Sequence, residues 1–168
     1  DVCSSDLAWA APYLRDVHGL DDIARGNVLL AMAVCSMFGH MIYGFLVRAL
    51  NSIRTVIFGG MCVIIGCLTA LSLLLQPSVF LVAGIFCVIS ISCMYPMMAF
   101  THSRGLVPPH LVGRGLAVAN MGIMTAIADS QMLFGWVVGL FPLDAAGASP
   151  EIAYRAAFAT LAVMATVS

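Results

Sequence analysis

The chain has 168 residues, enough for one ordinary domain, but 62% of them are hydrophobic and only 9% are charged. A soluble domain carries roughly 25% charged residues, so this composition, with a mean hydropathy of +1.05, excludes an ordinary soluble fold and points to an all-α integral membrane protein. All seven basic residues are Arg and the net charge is −1, which gives no basic surface for nucleic acid.

The chain opens on residues 1–7, D-V-C-S-S-D-L. They fit nothing that follows and are read as a non-native leader, with the natural sequence resuming at 8. Residues 7–14, L-A-W-A-A-P-Y-L, are too short to span a bilayer. They read as the last turns of a helix, with Trp9 and Tyr13 at the interface. A charged turn follows, R-D-V-H-G-L-D-D.

The first complete span is expected over 26–47, long enough for a hydrocarbon core of roughly 30 Å. Ser36, His40 and Tyr43 lie at helical spacing on one face, and Gly39 and Gly44 allow close helix contact. A short turn with Arg48 and Arg54 and no acid leads into a second span, 55–75, almost wholly apolar. After Gln76-Pro77-Ser78 a third span is expected over 79–100, carrying Ser90, Ser92, Tyr95 and Pro96. Pro96 cannot donate a backbone hydrogen bond to the Ser92 carbonyl, so it is the expected hinge.

The break at 101–113, T-H-S-R-G-L-V-P-P-H-L-V-G, is the polar, helix-breaking stretch between two long apolar runs. Arg104 and Arg114 flank it and it holds no acid. A fourth span is expected over 115–141, with Asn120, Thr125, Asp129 and Gln131 along it and a Gly135-x-x-x-Gly139 packing pattern. The turn 142–150 is acidic. A last helix, 151–168, starts with Glu151, where an acid suits the helix dipole. Both ends of the chain read as truncated.

The loop charges support these spans. One set of loops holds Arg48, Arg54, Arg104 and Arg114 and no acid. The other holds Asp16, Asp21, Asp22, Asp144 and Glu151 with Arg15, Arg25 and Arg155. The sets alternate along the chain, and the positive-inside rule makes the first set cytoplasmic. The expected location is the cell membrane, as a multi-pass protein of a bacterial inner membrane. The six Cys form no C-x-x-C pair, and five of them lie in apolar runs as small hydrophobes. The 11 Met read as packing residues. No disulfide, metal site or cofactor is expected.

Among intramembrane groups Asp129 is the sharpest. An acid at mid-span costs roughly 2.5–3.5 kcal/mol on insertion scales and so normally faces a cavity or a partner. Counted from opposite ends of antiparallel spans, His40 falls near the same depth, and its ring could carry a proton. Packing against neighbouring helices is the plain alternative for both. Asn120 and Gln131 read as interhelical hydrogen-bonding residues. An enzyme would need paired intramembrane acids or an H-E-x-x-H helix, and neither is present.

Three stretches carry a resemblance to a known family: W-A-A-P-Y-L-R-D-V-H-G-L over 9–20, G-F-L-V-R-A-L-N-S-I-R over 44–54, and R-G-L-V-P-P-H-L-V-G-R-G-L-A-V-A-N over 104–120, followed by Gln131. The pattern resembles the C-terminal half of a major facilitator superfamily transporter, from the end of helix seven through most of helix twelve, in the sugar-phosphate-permease-like subgroup. Gly44, Arg48 and Arg54 match the second copy of the family's loop motif. The motif's acid is absent, with Val47 where it aligns, so no latch built on that acid is available.

The resemblance implies a partial major-facilitator-type bundle and secondary transport of a small organic anion by alternating access. It also implies an N-terminal half of the same transporter as partner, alongside the bilayer and a small-molecule substrate. Asp129, His40, Ser92 and Tyr95 are then the candidate substrate- or ion-binding residues, with Pro96 as hinge. The competing expectation is a structural or assembly subunit of a membrane complex, without transport activity.

Overall fold

Among the described residues the long apolar runs form helices, and short polar residues set where several of them start and where α2 stops. The computed structural model describes residues 2–75, 77–93, 108, 110–143, 147 and 149–167, with side chains from 9 to 166. Its helices are α1 (Val2–Asp16), α2 (Asp22–Leu50), α3 (Ile53–Leu73), α4 (Val79–Ser92), α5 (Val112–Gly139) and α6 (Glu151–Val167). Among the described residues there is no strand. Tyr95, Pro96 and Arg104 lie outside the described residues, so the hinge and part of the cytoplasmic loop motif do too.

The helix starts follow local chemistry. Asp21 caps α2 by accepting from the Ala24 amide at 3.1 Å. Ser52 caps α3 by accepting from Thr55, and Ser78 caps α4 by accepting from Leu81, both at 3.4 Å. These side-chain oxygens satisfy amides that the first turn leaves unpaired. Asn51 ends α2 in the left-handed region at φ 46°, a conformation Asn tolerates better than most residues. α2 and α3 therefore meet across only two residues. The caps also explain why α2, at 29 residues, outruns its apolar stretch: Asp21 and Asn51, not the edge of the hydrophobic run, set its length. Pro12 sits inside α1, where it leaves one helical hydrogen bond unmade.

Among the described residues three helices are long and apolar enough to cross a membrane: α2, α3 and α5. At 1.5 Å per residue their 29, 21 and 28 residues extend about 44, 32 and 42 Å, against roughly 30 Å of hydrocarbon. α4 is a shorter apolar helix.

The helices pack α2 on α4, α4 on α3, α3 on α6 and α6 on α5, while α1 touches α2, α4, α5 and α6. α1 thus fills the inside of the layer. Its Tyr13, 1% exposed, stands edge-on to Phe86 of α4 and to Tyr154 and Phe158 of α6, at 5.3–6.0 Å between centroids. Phe134 of α5 continues the cluster, 5.2 Å from Phe158 and stacked 4.5 Å from Trp9. Edge-on and offset rings are the favoured arrangements, and here one cluster joins four helices.

The outward faces are apolar too. Met37, Phe38, Met41 and Phe45 of α2 and Val118, Met121, Met132 and Trp136 of α5 are exposed. So large an apolar surface is foreign to a soluble monomer and suits lipid or a further helical layer.

Long-range hydrogen bonds identify the two ends of the bundle. Tyr154 and Arg155, at the start of α6, reach Asp16 at the end of α1 and the Ser72 carbonyl at the end of α3. Arg48, Arg54 and Arg114 lie at the opposite end, are exposed, and share that end with no described acid.

Candidate functional site

Asp129 lies on the exposed side of α5, in line with exposed Gly122, Thr125, Met132 and Trp136. The buried side of the same helix carries Phe134 and Val137. His40 is exposed on α2, its Nδ1 3.0 Å from the Ser36 carbonyl one turn back.

The sequence places Ser36, His40 and Tyr43 on one face, but the packing divides them. The buried line of α2 runs through Met32, Gly39 and Tyr43. At 100° per residue, His40 points about 80° away from the middle of that line. Tyr43 alone turns inward, and its hydroxyl donates to the Ser92 carbonyl of α4 at 3.2 Å. Ser92 is buried at that helix contact.

Gly44, of the loop motif, faces open space, with nothing within 4 Å of where a Cβ would stand.

Inside the bundle, Trp9, Ser130, Gln131, Phe134 and Phe158 line a cavity of about 50 Å³. Ligand pockets typically run roughly 300–1,000 Å³, so this one cannot hold an organic solute. Gln131 reaches it half-buried, whereas Asn120, eleven residues earlier on the same face, is exposed. Gly135 admits the Trp9 ring to this site: a Cβ there would stand 3.1 Å from Cη2 of the indole. Gly139, its partner in the small-residue pattern, meets nothing within 4 Å.

The densest polar constellation is at the end of the bundle and was not singled out in the sequence. The Asp16 side chain, 6% exposed, accepts from Arg15 Nε at 2.8 Å, from the Tyr154 hydroxyl at 2.8 Å and from the Ser149 amide at 3.4 Å. Burial by itself pushes the Asp16 carboxyl up. The hydrogen bonds from Arg15, Tyr154 and Ser149 outweigh it and hold the carboxyl below the usual carboxylate range. Burial pushes the nearby His18 ring below its ordinary value, with Glu151 opposing. Arg155 Nε donates to the Ser72 carbonyl at 2.7 Å and so caps the end of α3. The network ties α6 to both α1 and α3. The available signal was charge density alone: Arg15-Asp16 and Tyr154-Arg155 stand at helix ends, but nothing local says that they meet.

No group of three or more metal-ligating side chains occurs among the described residues. No family model, no curated protein and no solved structure matches this chain.

Proposed function

We propose that this chain is the C-terminal half of a secondary transporter of the major facilitator type, moving a small organic anion across a bacterial inner membrane by alternating access. The observation that carries the reading is the setting of Asp129: a carboxylate on a long apolar helix, on a face that no described residue covers. Against lipid such a group costs roughly 2.5–3.5 kcal/mol on insertion scales. A hydrated cavity against a second helical layer removes that cost, and transporters of this build bind substrate between two halves. Asp129 then serves substrate or a coupling cation. His40, on another uncovered face, is a second polar station. The end bearing Arg48, Arg54 and Arg114 is cytoplasmic.

The test uses the full-length transporter. Asp129→Asn keeps the size and removes the charge. Loss of a charged hydrogen bond is worth about 1.5–3 kcal/mol, so uptake should fall about tenfold or more with the amount in the membrane unchanged. Unchanged uptake and unchanged pH dependence would remove Asp129 from the site and leave the assembly-subunit reading in its place. Orientation is checked separately. In a Cys-free background, Ser52→Cys should react with an impermeant thiol reagent only from the cytoplasmic side, and Ser78→Cys only from outside.

A further inference from the structure

A buried donor without a partner stands beside the small cavity where α1 meets α5. Trp9 Nε1 is shielded from solvent and has no hydrogen-bond partner among the described residues. An indole nitrogen only donates, so what it lacks is an acceptor. The ring has little freedom to seek one elsewhere. It stacks on Phe134, and its Cη2 and Cζ2 would stand 3.1 and 3.5 Å from a Cβ at Gly135. Cζ2 and Nε1 are bonded to the same ring carbon, so the edge turned toward α5 is the edge that carries the N–H. Gln131, one turn before Gly135, and Ser130 beside it line the same cavity as Trp9. Gln131 offers a carboxamide oxygen. Ser130 donates its hydroxyl to the Ile127 carbonyl at 2.8 Å, which leaves its oxygen lone pairs to accept.

We propose that this cavity is a binding site for ordered water, which accepts from Trp9 Nε1 and donates to the Gln131 carboxamide and the Ser130 hydroxyl oxygen, joining α1 to α5. Size and chemistry agree. The cavity, about 50 Å³, exceeds the roughly 10–15 Å³ that one water needs. Apolar cavities stay dry, whereas water settles where two to four polar groups converge, and three do so here. A buried N–H left unpaired is costly, and hydrocarbon offers it no acceptor. Water is also the guest that serves all three groups at once, because it accepts and donates together. Gln131, expected from the sequence to hydrogen-bond between helices, then does so through the bound water. The inference does not depend on the transport reading.

The indole proton reports on the site directly. The full chain, with isotope-labelled indole nitrogens, is placed in lipid bilayers, and through-space transfer from water to the Trp9 Hε1 proton is recorded by solid-state NMR. The chain has two tryptophans, and Trp136→Phe removes the other indole signal. A water cross-peak to Trp9 Hε1 is expected in this background. The double change Ser130→Ala with Gln131→Leu leaves an apolar cavity and should abolish the peak. Gln131→Met keeps the side-chain length, removes its polar atoms and should weaken the peak with the least change in packing. No water cross-peak in the chain that retains Ser130 and Gln131 would overturn the proposal, whether the cavity is dry or the indole bonds Gln131 directly. A peak that persists at full strength in both altered chains would overturn it too, because the indole would then meet bulk water rather than a bound one.

Discussion

Asp16 and Asp129 are the same side chain in opposite settings. Asp16 is at a helix end, shielded from solvent, and accepts from a guanidinium, a phenol and a backbone amide. Asp129 is inside a long apolar helix and stands on its open side. The region around Asp16 is closed by polar contacts above an aromatic cluster. The open faces of α2 and α5 present methionines and aromatics with isolated polar groups among them. The chain thus holds itself together from the Asp16 end inward and leaves its α2 and α5 faces available to lipid or to another layer.

The largest effect expected to separate the two regions is in packing. Phe158 is 3% exposed and Phe45 is 70% exposed. Phe158→Ala should cost about 3–5 kcal/mol, the range for emptying a buried aromatic site, and Phe45→Ala should stay within about 0.5 kcal/mol. Unfolding in mixed detergent micelles measures both. Equal losses would mean that the α2 face is packed as tightly as the interior.

Next is the polar closure. Asp16→Asn should cost about 1–3 kcal/mol, and Tyr154→Phe about 1 kcal/mol. The acid sign follows from the lowered carboxyl. Ionised Asp16 favours the folded chain above about pH 4, the ordinary carboxylate value, and that contribution is lost as pH falls through the lower folded value. Asp16→Asn should remove this part of the acid destabilisation. An unaltered pH profile would show that the three hydrogen bonds do not hold the end closed.

His18 should act in a separate window and more weakly. Its lowered pKa means that the folded chain resists protonation. Stability should therefore decline as pH drops from about 6.5, the ordinary histidine value, through the folded value. His18→Gln should flatten that decline and leave the window near pH 4 in place. A decline that survives unchanged in His18→Gln would assign it to another group.

The smallest expected effect compares two glycines four residues apart. A methyl at Gly135 meets the indole of Trp9 at 3.1 Å, and that ring is stacked on Phe134, so the added volume strains the site. A methyl at Gly139 meets nothing; the helix gain on replacing glycine, about 0.5–1 kcal/mol, is common to both positions, so the Trp9 contact alone separates them. Gly139→Ala should be the more stable variant by about 1 kcal/mol or more. The reverse order would place Trp9 elsewhere.

What the sequence determined by itself is what local chemistry decides. Unbroken apolar runs have no way to satisfy their backbone in lipid except as helices, and among the described residues α2, α3 and α5 are helices long and apolar enough to cross a membrane. Asp21, Ser52 and Ser78 carry the short oxygens that cap helix starts. Tertiary structure decided which side of each helix packs. A face is buried only when a partner arrives, and the partners here are distant: Tyr43 and Ser92 are 49 residues apart, and Asp16 and Tyr154 are 138 apart. That is why His40 and Tyr43, neighbours on a helical wheel, part company. It is why Gly135 touches Trp9 while Gly139 touches nothing. Asp16 and Asp129 both read as acids in the sequence; the approach of α6 and of the turn before it added Tyr154 and Ser149 to the donor that Arg15 supplies locally to Asp16, and left Asp129 on an uncovered face.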